Sequence, residues 1–152
     1  MTRILTTLTA VLALALALVA GATAAPKLLE NTPLAGIATA NEVVRGIQGG
    51  GLPWVVAEGT NAKVDAEGNV KVVVHGLLFA PGTPNAGTRG SIDTVKATVV
   101  CADGSLVDTA TAPLSLDGDA QIRNTVALRA GCGDPIVMVR TTGGRWLART
   151  GG

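Results

Sequence analysis

Apolar and polar residues alternate through Asp93-Thr-Val-Lys-Ala-Thr-Val-Val-Cys101, the stretch that decides the fold class of this chain. A period of two residues is typical of a half-buried β-strand, because successive side chains of a strand point to opposite faces. The alternation sends one set of side chains inward, namely Val95, Ala97, Val99 and Cys101. The turn Ala102-Asp-Gly104 leads directly into residues 105–110, which predicts a β-hairpin.

The same pattern recurs on both sides of this stretch. In residues 69–79 one face carries Val70, Val72, Val74 and Leu78, and the other carries Lys71 and His75. Nearer the C-terminus, Gly143-Gly144 separates two strand-like stretches and is typical of a type I′ turn, whose central residues both have positive φ. No helical periodicity follows residue 25. These patterns favour strands joined by tight turns.

Residues 48–152 are therefore predicted to form an all-β domain of about seven to nine short strands. The expected architecture is an antiparallel β-sandwich, immunoglobulin-like or related, with one disulfide. Trp54 and Trp146 are the expected large core residues. Exposure of either tryptophan would instead indicate a platform for binding glycans.

The first 24 residues have the layout of a secretory signal peptide. Arg3 gives a positive start, an apolar stretch runs to Ala20, and the cut is expected after Ala22 or Ala24. A retained membrane anchor is disfavoured, because threonines interrupt the apolar stretch and no positively charged stop follows it. Residues 25–47, which prolines interrupt, are predicted to be a flexible or edge segment. The protein is thus expected to be secreted or held in the cell envelope.

Cys101 and Cys132 are the two cysteines of the chain, and both follow the signal segment. Outside the reducing cytoplasm such a pair usually forms a disulfide. The pair lacks the Cys-x-x-Cys spacing of redox motifs, and it has no neighbouring histidine with which to build a zinc site. We therefore predict a structural disulfide.

The charge and aromatic content limit the classes of partner. The chain has 12 basic and 11 acidic residues, and loss of Arg3 with the signal segment leaves equal numbers of each. A neutral protein lacks the positive electrostatic potential that attracts nucleic acids and anionic membranes. One Phe, two Trp and no Tyr are few for recognition by stacking. The expected partner is a protein or an envelope component rather than nucleic acid, with no stable membrane span after signal cleavage.

Residues with catalytic chemistry are scarce. His75 is the single histidine, and none of the serines lies in a Gly-x-Ser-x-Gly turn. Two pairs of carboxylates are candidates, Asp103 with Asp108 and Asp117 with Asp119. All four lie in or next to hairpin turns, where aspartate is favoured for its local backbone hydrogen bonds. The chain is therefore predicted not to be an enzyme.

Calcium is the one cofactor that the sequence leaves open. Asp117-Gly-Asp119 resembles the start of an oxygen-rich loop, and Asp103 and Asp134 are further weak candidates for ligands. The remainder of a calcium loop, including its terminal bidentate glutamate, is missing. Turn chemistry alone accounts for these aspartates, so no metal site is predicted.

The longest irregular segment inside the domain is the loop at residues 82–90. Recognition residues often lie on such loops, which a rigid sheet holds in place. Thr83, Asn85 and Arg89 are its candidate contact residues. A plain connection without a binding role is the alternative interpretation.

Several stretches of the chain resemble an uncharacterised family of small secreted bacterial all-β proteins. They are Gly49-Gly-Gly-Leu-Pro-Trp54, Asp93–Cys101, Pro135-Ile-Val-Met-Val-Arg140 and Gly144-Arg-Trp-Leu-Ala-Arg149. The resemblance covers about residues 48–152 and implies an all-β secreted domain. It brings no catalytic residues with it.

Together these observations predict a secreted structural or protein-interaction module without catalytic activity. The alternative is a module that binds a small ligand or a glycan, with calcium as a helper. The position of the tryptophans distinguishes the two, because an interaction module buries both and a stacking glycan binder exposes at least one.

Overall fold

Thirteen β-strands and no helix make up residues 23–151, the part of the chain that the computed structural model describes. The predicted signal segment lies almost entirely outside the described residues. The strands are β1 (Lys27–Gly36), β2 (Val43–Val44), β3 (Ile47–Gln48), β4 (Trp54–Val55), β5 (Asn61–Asp65), β6 (Asn69–Val74), β7 (Leu78–Phe79), β8 (Thr94–Val100), β9 (Leu106–Asp108), β10 (Ala112–Pro113), β11 (Ala120–Thr125), β12 (Ile136–Thr141) and β13 (Trp146–Thr150). The predicted all-β class is confirmed. The strand count was too low because five of the strands are only two residues long.

Nine of the strands form one curled antiparallel sheet. Its order is β10-β8-β12-β13-β1-β5-β6-β11, with β9 also paired to β8. We call β1, β5, β6 and β11 the front half-sheet, and β8, β9, β10, β12 and β13 the back half-sheet. One core cluster contains inward residues of both halves, which gives the domain a sandwich-like arrangement.

Strand β1 joins the two halves and corrects the expectation of a flexible segment at residues 25–47. Residues 27–33 of β1 pair with β5, and residues 34–36 pair with β13. Register irregularities between Lys27 and Thr32, with Asn31 at a φ of 48°, bend the strand from one half-sheet to the other. These bulges interrupt the alternation of apolar and polar residues, so the sequence pattern of β1 did not indicate a strand.

Valine, whose branched side chain suits a pleated surface, is the commonest residue of the core. The predicted inward residues of β8 and its end are all buried: Val95, Ala97, Val99 and Cys101. The predicted inward residues of β6 are buried as well: Val70, Val72 and Val74. The strand stops there because Gly76 turns the chain with a φ of 57°, so Leu77 occupies the core position and Leu78 is only half-buried.

Residues 37–50, which we call the flap, pack against β13 and the end of β8. Strands β2 and β3 form a hairpin whose turn residues, Arg45 and Gly46, have φ values of 47° and 79°. The guanidinium of Arg45 donates hydrogen bonds to the carbonyl oxygens of Val100 at 2.7 Å and Asp134 at 2.9 Å. The hairpin is thereby fastened to the back half-sheet.

The predicted disulfide is present. Cys101 at the end of β8 is bonded to Cys132 in the loop before β12, with a Cα–Cα distance of 5.0 Å, and both residues are buried. The backbone N–H of Ala102 also donates to the carbonyl of Gly133 at 3.0 Å. The bond therefore ties the end of one strand to the start of the neighbouring strand.

The turn between β12 and β13 differs from the predicted type I′ turn. Gly144 has a φ of 94°, whereas Gly143 does not have positive φ. The N–H of Gly144 donates to the carbonyl of Thr141 at 3.0 Å, and the N–H of Thr141 donates to the carbonyl of Arg145 at 2.9 Å. This is the three-residue hairpin in which a single glycine takes the left-handed position.

Candidate functional site

Three cations form a row across the outward face of the front half-sheet. The strand register places Lys63 of β5 opposite Lys71 of β6, and Lys71 opposite Arg123 of β11. Residues on either side of each cation are more deeply buried, as the alternation of a strand requires. Neighbouring strands are about 4.8 Å apart, so the backbones of the three cationic residues follow one another across the sheet at about that spacing. We call Lys63, Lys71 and Arg123 the cationic row.

The cationic row forms no direct ion pair in the part of the chain that the structure describes. Glu30 of β1 lies close enough to Lys63 to be affected by its charge, but the carboxylate of Glu30 is held by Lys27. The hydrogen bond from Lys27, together with the charges of Lys27 and Lys63, lowers the pKa of Glu30.

The cationic row lines an open cleft of about 650 Å³. Lys27 also lines the cleft, but its charge is paired with Glu30, and Asp65 is the one carboxylate in the lining. Both oxygens of Asp65 already accept hydrogen bonds from its own turn, from the backbone N–H groups of Glu67 and Asn69 and from the Asn69 side chain. The side-chain bond from Asn69, with the backbone bonds, lowers the pKa of Asp65. The cleft therefore has an excess of positive charge and suits an anionic group.

Neither tryptophan provides a stacking platform. Trp54 is 4% exposed and packs on Phe79 with 4.1 Å between ring centroids. Trp146 is 1% exposed, and its indole N–H donates to the carbonyl of Glu42 in the flap at 3.2 Å. The guanidinium of Arg149 covers the Trp146 ring at 5.6 Å from its centroid. The prediction that both tryptophans belong to the core is confirmed.

His75 lies on the rim of a second, smaller cleft of about 390 Å³, beside Asp119 and Ser115. The Nδ1 atom of His75 is 3.6 Å from Oδ1 of Asp119. That same oxygen accepts a hydrogen bond from the N–H of Gly76, and Oγ of Ser115 accepts one from the N–H of Asp119. Both polar side chains thus stabilise turns, and the imidazole is half exposed.

The four weak calcium candidates are not gathered into one cluster. Asp119 contacts His75, Asp103 accepts hydrogen bonds from Ser105, and Asp134 lies 3.6 Å from Arg45. Asp117 is exposed in the turn before β11. In the part of the chain that the structure describes, no three His, Cys, Asp or Glu side chains come together as metal ligands would. The geometry gives calcium no support beyond the sequence pattern.

The candidate recognition loop folds back on β7. The N–H of Phe79 donates to the carbonyl of Thr88 at 2.8 Å, and the N–H of Gly87 donates to the carbonyl of Phe79 at 3.0 Å. Thr83 caps a turn by donating to the carbonyl of Ala80, and Arg89 donates to the carbonyl of Ile92 within the same segment. The remaining candidate, Asn85, is exposed. The charge of Arg89 is therefore directed toward its own loop.

A second charged cluster lies on the back half-sheet. Asp108 of β9 accepts hydrogen bonds from Lys96 at 2.6 Å and from Thr98 at 2.5 Å, and Arg140 lies 3.4 Å away. Burial raises the pKa of Asp108, but the bonds from Lys96 and Thr98 and the nearby charges outweigh burial and lower the pKa overall. Lys96 and Arg140 are thus paired with a carboxylate, whereas the described residues give the cationic row no such partner.

The alternation in residues 69–79 placed Lys71 on the outward face of its strand, but this pattern did not reveal the cationic row. Lys63 and Arg123 come from different strands, and β11 follows β6 only after most of the back half-sheet has intervened in the chain. The neutral overall charge of the chain concealed the local excess of positive charge on this face of the front half-sheet. The available signal was a cation on an outward position of each of three strands.

Comparison with protein-family models, with curated proteins and with solved structures found no match for this chain. The structure defines the class of the protein as all-β, antiparallel and disulfide-bonded. Within residues 23–151 there is no helix of the length and apolarity needed to cross a membrane.

Proposed function

We propose that this protein is a non-catalytic interaction module, secreted or held in the cell envelope, that binds an anionic partner through the cationic row. The observation that carries the proposal is the alignment of Lys63, Lys71 and Arg123 on one outward face without ion-pair partners in the described chain. Like charges at directly opposed positions destabilise a sheet. An anionic ligand would relieve that repulsion, so an arrangement that destabilises the free protein would be stabilised in the complex.

The disulfide supports the extracytoplasmic location. Cys101 and Cys132 are bonded and buried, and such bonds persist in oxidising compartments. The signal-like sequence of residues 1–24 points the same way. A location in the envelope or outside the cell would also give the module access to anionic polymers and to acidic surface proteins.

The arrangement around His75 supports the non-catalytic part of the proposal. A hydrolytic site needs a nucleophile and a base that are free to act on substrate. Ser115 and Asp119 instead form hydrogen bonds with turn backbone, as described above. The half-exposed imidazole therefore has a carboxylate neighbour that already has a structural role.

Affinity electrophoresis of the oxidised protein tests the proposal. The gels contain a carboxylated polysaccharide, poly-glutamate, polyphosphate or neutral dextran. At least one anionic polymer should retard the protein, dextran should not, and added salt should weaken the retardation because exposed charges are screened.

Two variants with the same change of charge make the test specific. Lys71→Gln removes the centre of the cationic row, and Arg129→Gln removes a cation whose side chain is 73% exposed beside Asp103. We expect Lys71→Gln to lose most of the retardation and Arg129→Gln to keep it. The proposal is overturned if no anionic polymer retards the protein, or if both variants lose retardation equally.

A further inference from the structure

A third cleft, of about 320 Å³, lies where the end of the flap, β4, β7 and the turn between β12 and β13 meet. Its size is at the lower end of the range of about 300–1,000 Å³ that is typical of small-ligand pockets. We propose that this cleft binds a small apolar carboxylate, whose charged group is held by Trp54 and Arg145. None of the lining residues belongs to the cationic row, so this site is separate from the proposed function.

The walls of the cleft are apolar. They are formed by Leu52, Trp54, Phe79, Ile92 and Leu147, and the lining includes no carboxylate and no side-chain amide. Trp54 and Phe79 are directly opposed across β4 and β7, with 4.1 Å between their ring centroids. An aliphatic or aromatic body placed against these side chains would be removed from water, which favours binding.

The indole N–H of Trp54 opens onto this cleft without an acceptor. Trp54 is 4% exposed, and no residue between 23 and 151 accepts a hydrogen bond from its Nε1 atom, whereas the N–H of Trp146 donates to Glu42. The Nε1 atom is not sealed in the core, because Nε of Arg89 is the one fully buried side-chain nitrogen or oxygen without a partner in that range. Buried tryptophans usually have a partner for this N–H. An acceptor on a ligand would provide it.

Arg145 supplies a positive charge at the rim of the cleft. Its Nη1 atom donates to the carbonyl oxygen of Gly49 at 3.0 Å and to Oδ1 of Asn41 at 3.3 Å, which fixes the position of the guanidinium. No carboxylate of residues 23–151 forms an ion pair with Arg145. Nε and Nη2 make no hydrogen bond within the same residues, so they can donate to a ligand. The planar guanidinium suits a carboxylate, which can accept two of its N–H groups.

Both donors border the same short segment of backbone. Arg145 is bonded to the carbonyl of Gly49, and a Cβ atom added to Gly50 would lie 3.1 Å from Nε1 of Trp54. The one hydroxyl in the lining, that of Thr141, already accepts a hydrogen bond from the backbone N–H of Arg145 at 3.3 Å. The side chains of the cleft therefore offer donors and an unpaired positive charge, which selects an apolar anion over an apolar cation.

Nuclear magnetic resonance of the isotope-labelled, oxidised protein tests the proposal, because the chain has only two indole N–H groups. The probes are octanoate and hydrocinnamate, which have an aliphatic and an aromatic body. At least one of them should shift the Trp54 indole resonance in a saturable way and leave that of Trp146 nearly unchanged. The methyl esters of both acids and acetate should bind much more weakly, since the esters lack the charge and acetate lacks the apolar body.

Two glycine variants test the position of the ligand. In Gly50→Ala the new methyl group lies 3.1 Å from Nε1 of Trp54 and 3.3 Å from Cδ2 of Leu147, so it fills the cleft beside the indole N–H. In Gly51→Ala the methyl group has no atom within 4 Å. We expect Gly50→Ala to lose binding and Gly51→Ala to keep it, with the amide spectrum of each variant showing that the sheet is intact.

A second set of variants tests the charge without filling the cleft. Arg145→Gln should weaken binding of the acid by about fivefold or more, and Arg145→Lys should restore part of the loss. Lys71→Gln in the cationic row should leave binding within about twofold, because distant sites act independently. The proposal is overturned if neither acid shifts the Trp54 indole resonance, if the esters bind as tightly as the acids, or if Lys71→Gln and Arg145→Gln weaken binding equally.

Discussion

Lys63 of β5 and Lys71 of β6 are directly opposed in the front half-sheet, and Arg123 of β11 is directly opposed to Lys71 on its other side. Opposed like charges destabilise an antiparallel pair by about 0.2–1 kcal/mol. The described residues provide no ion-pair partner for Lys71. Retention of an unfavourable charge arrangement is typical of surfaces where binding and stability compete.

Replacing the central lysine should therefore stabilise the protein. We expect Lys71→Thr to raise the free energy of unfolding by about 0.2–1 kcal/mol at low ionic strength, because it removes repulsion from both sides and introduces a residue with higher β-propensity. Urea unfolding measures the change. The gain should shrink as salt is added, since the charges are exposed to solvent.

The matched control for this change is Arg129→Thr, which removes a cation outside the sheet. Its stability should stay within about 0.5 kcal/mol of that of the unchanged protein. A Lys71→Thr protein that is less stable than the unchanged protein at low salt would show that Lys71 is not under repulsion.

The alternation of valine with polar residues was sufficient to predict the strands that form the centre of each half-sheet. Val72 and Val99 are fully buried where this pattern placed them. The disulfide was equally predictable, because a pair of cysteines in an exported chain has few other roles. The alternation that predicts a strand lies within a few consecutive residues. The disulfide involves only two residues, both of a distinctive type.

Strand β1 and the cationic row were not predictable in the same way. Bulges near Asn31 break the alternation of β1, and its place between β5 and β13 depends on pairings with distant strands. Lys63, Lys71 and Arg123 become one site only through the register of three strands. A shift of one residue in either pairing would move a cation to the opposite face, so composition and period alone cannot reveal the row.

Loss of the disulfide should destabilise the domain by an amount set by the loop that it closes. Cys101 and Cys132 are 31 residues apart, and a loop of that size corresponds to about 3–4 kcal/mol on the chain-entropy model. We expect the double variant Cys101→Ala/Cys132→Ala to lose about this much free energy of unfolding in urea. The double variant leaves no free thiol to form other bonds.

A reducing agent provides the control for the disulfide prediction. It should lower the stability of the unchanged protein toward that of the double variant and should not affect the double variant. A loss of less than about 1 kcal/mol would mean that the ends of β8 and β12 are held together without the bond.

Acid should lower the free energy of unfolding by protonating Asp108. Its folded pKa lies below the ordinary value of 3.8, so the folded state favours the charged carboxylate. The resulting stability is present above about pH 4 and is lost as the pH falls below 3.8 toward the folded pKa. The lowered pKa values of Glu30, Asp65 and Asp103 act in the same direction.

Asp108→Asn separates the contribution of Asp108 from that of the other carboxylates. At neutral pH the variant leaves Lys96 and Arg140 without their carboxylate, and we expect it to lose about 1 kcal/mol, a modest value because the Asp108 side chain is 35% exposed. The difference between variant and unchanged protein should decrease as the pH falls below about 4. A difference that stays constant between pH 7 and pH 2.5 in urea unfolding would contradict the assigned role of Asp108.

The flap should open locally when Arg45 is removed. Arg45→Ala deletes the hydrogen bonds to the carbonyl oxygens of Val100 and Asp134, and we expect a loss of about 2 kcal/mol concentrated in the flap rather than spread over the sheet. Thermolysin should then cut within residues 42–48 before it cuts elsewhere, since β2 and β3 supply exposed apolar sites once the hairpin detaches.

The indole of Trp146 gives a second measurement of the same opening. It is 1% exposed and bonded to the carbonyl of Glu42, so detachment of the flap should shift its fluorescence to longer wavelength and increase quenching by acrylamide. Arg45→Lys serves as the control, because it keeps the charge and can restore only one of the two carbonyl contacts. We expect its cleavage rate and quenching to lie between those of the unchanged protein and Arg45→Ala. Equal cleavage rates for all three proteins would show that packing of Ile37 and Ile47, rather than Arg45, holds the flap closed.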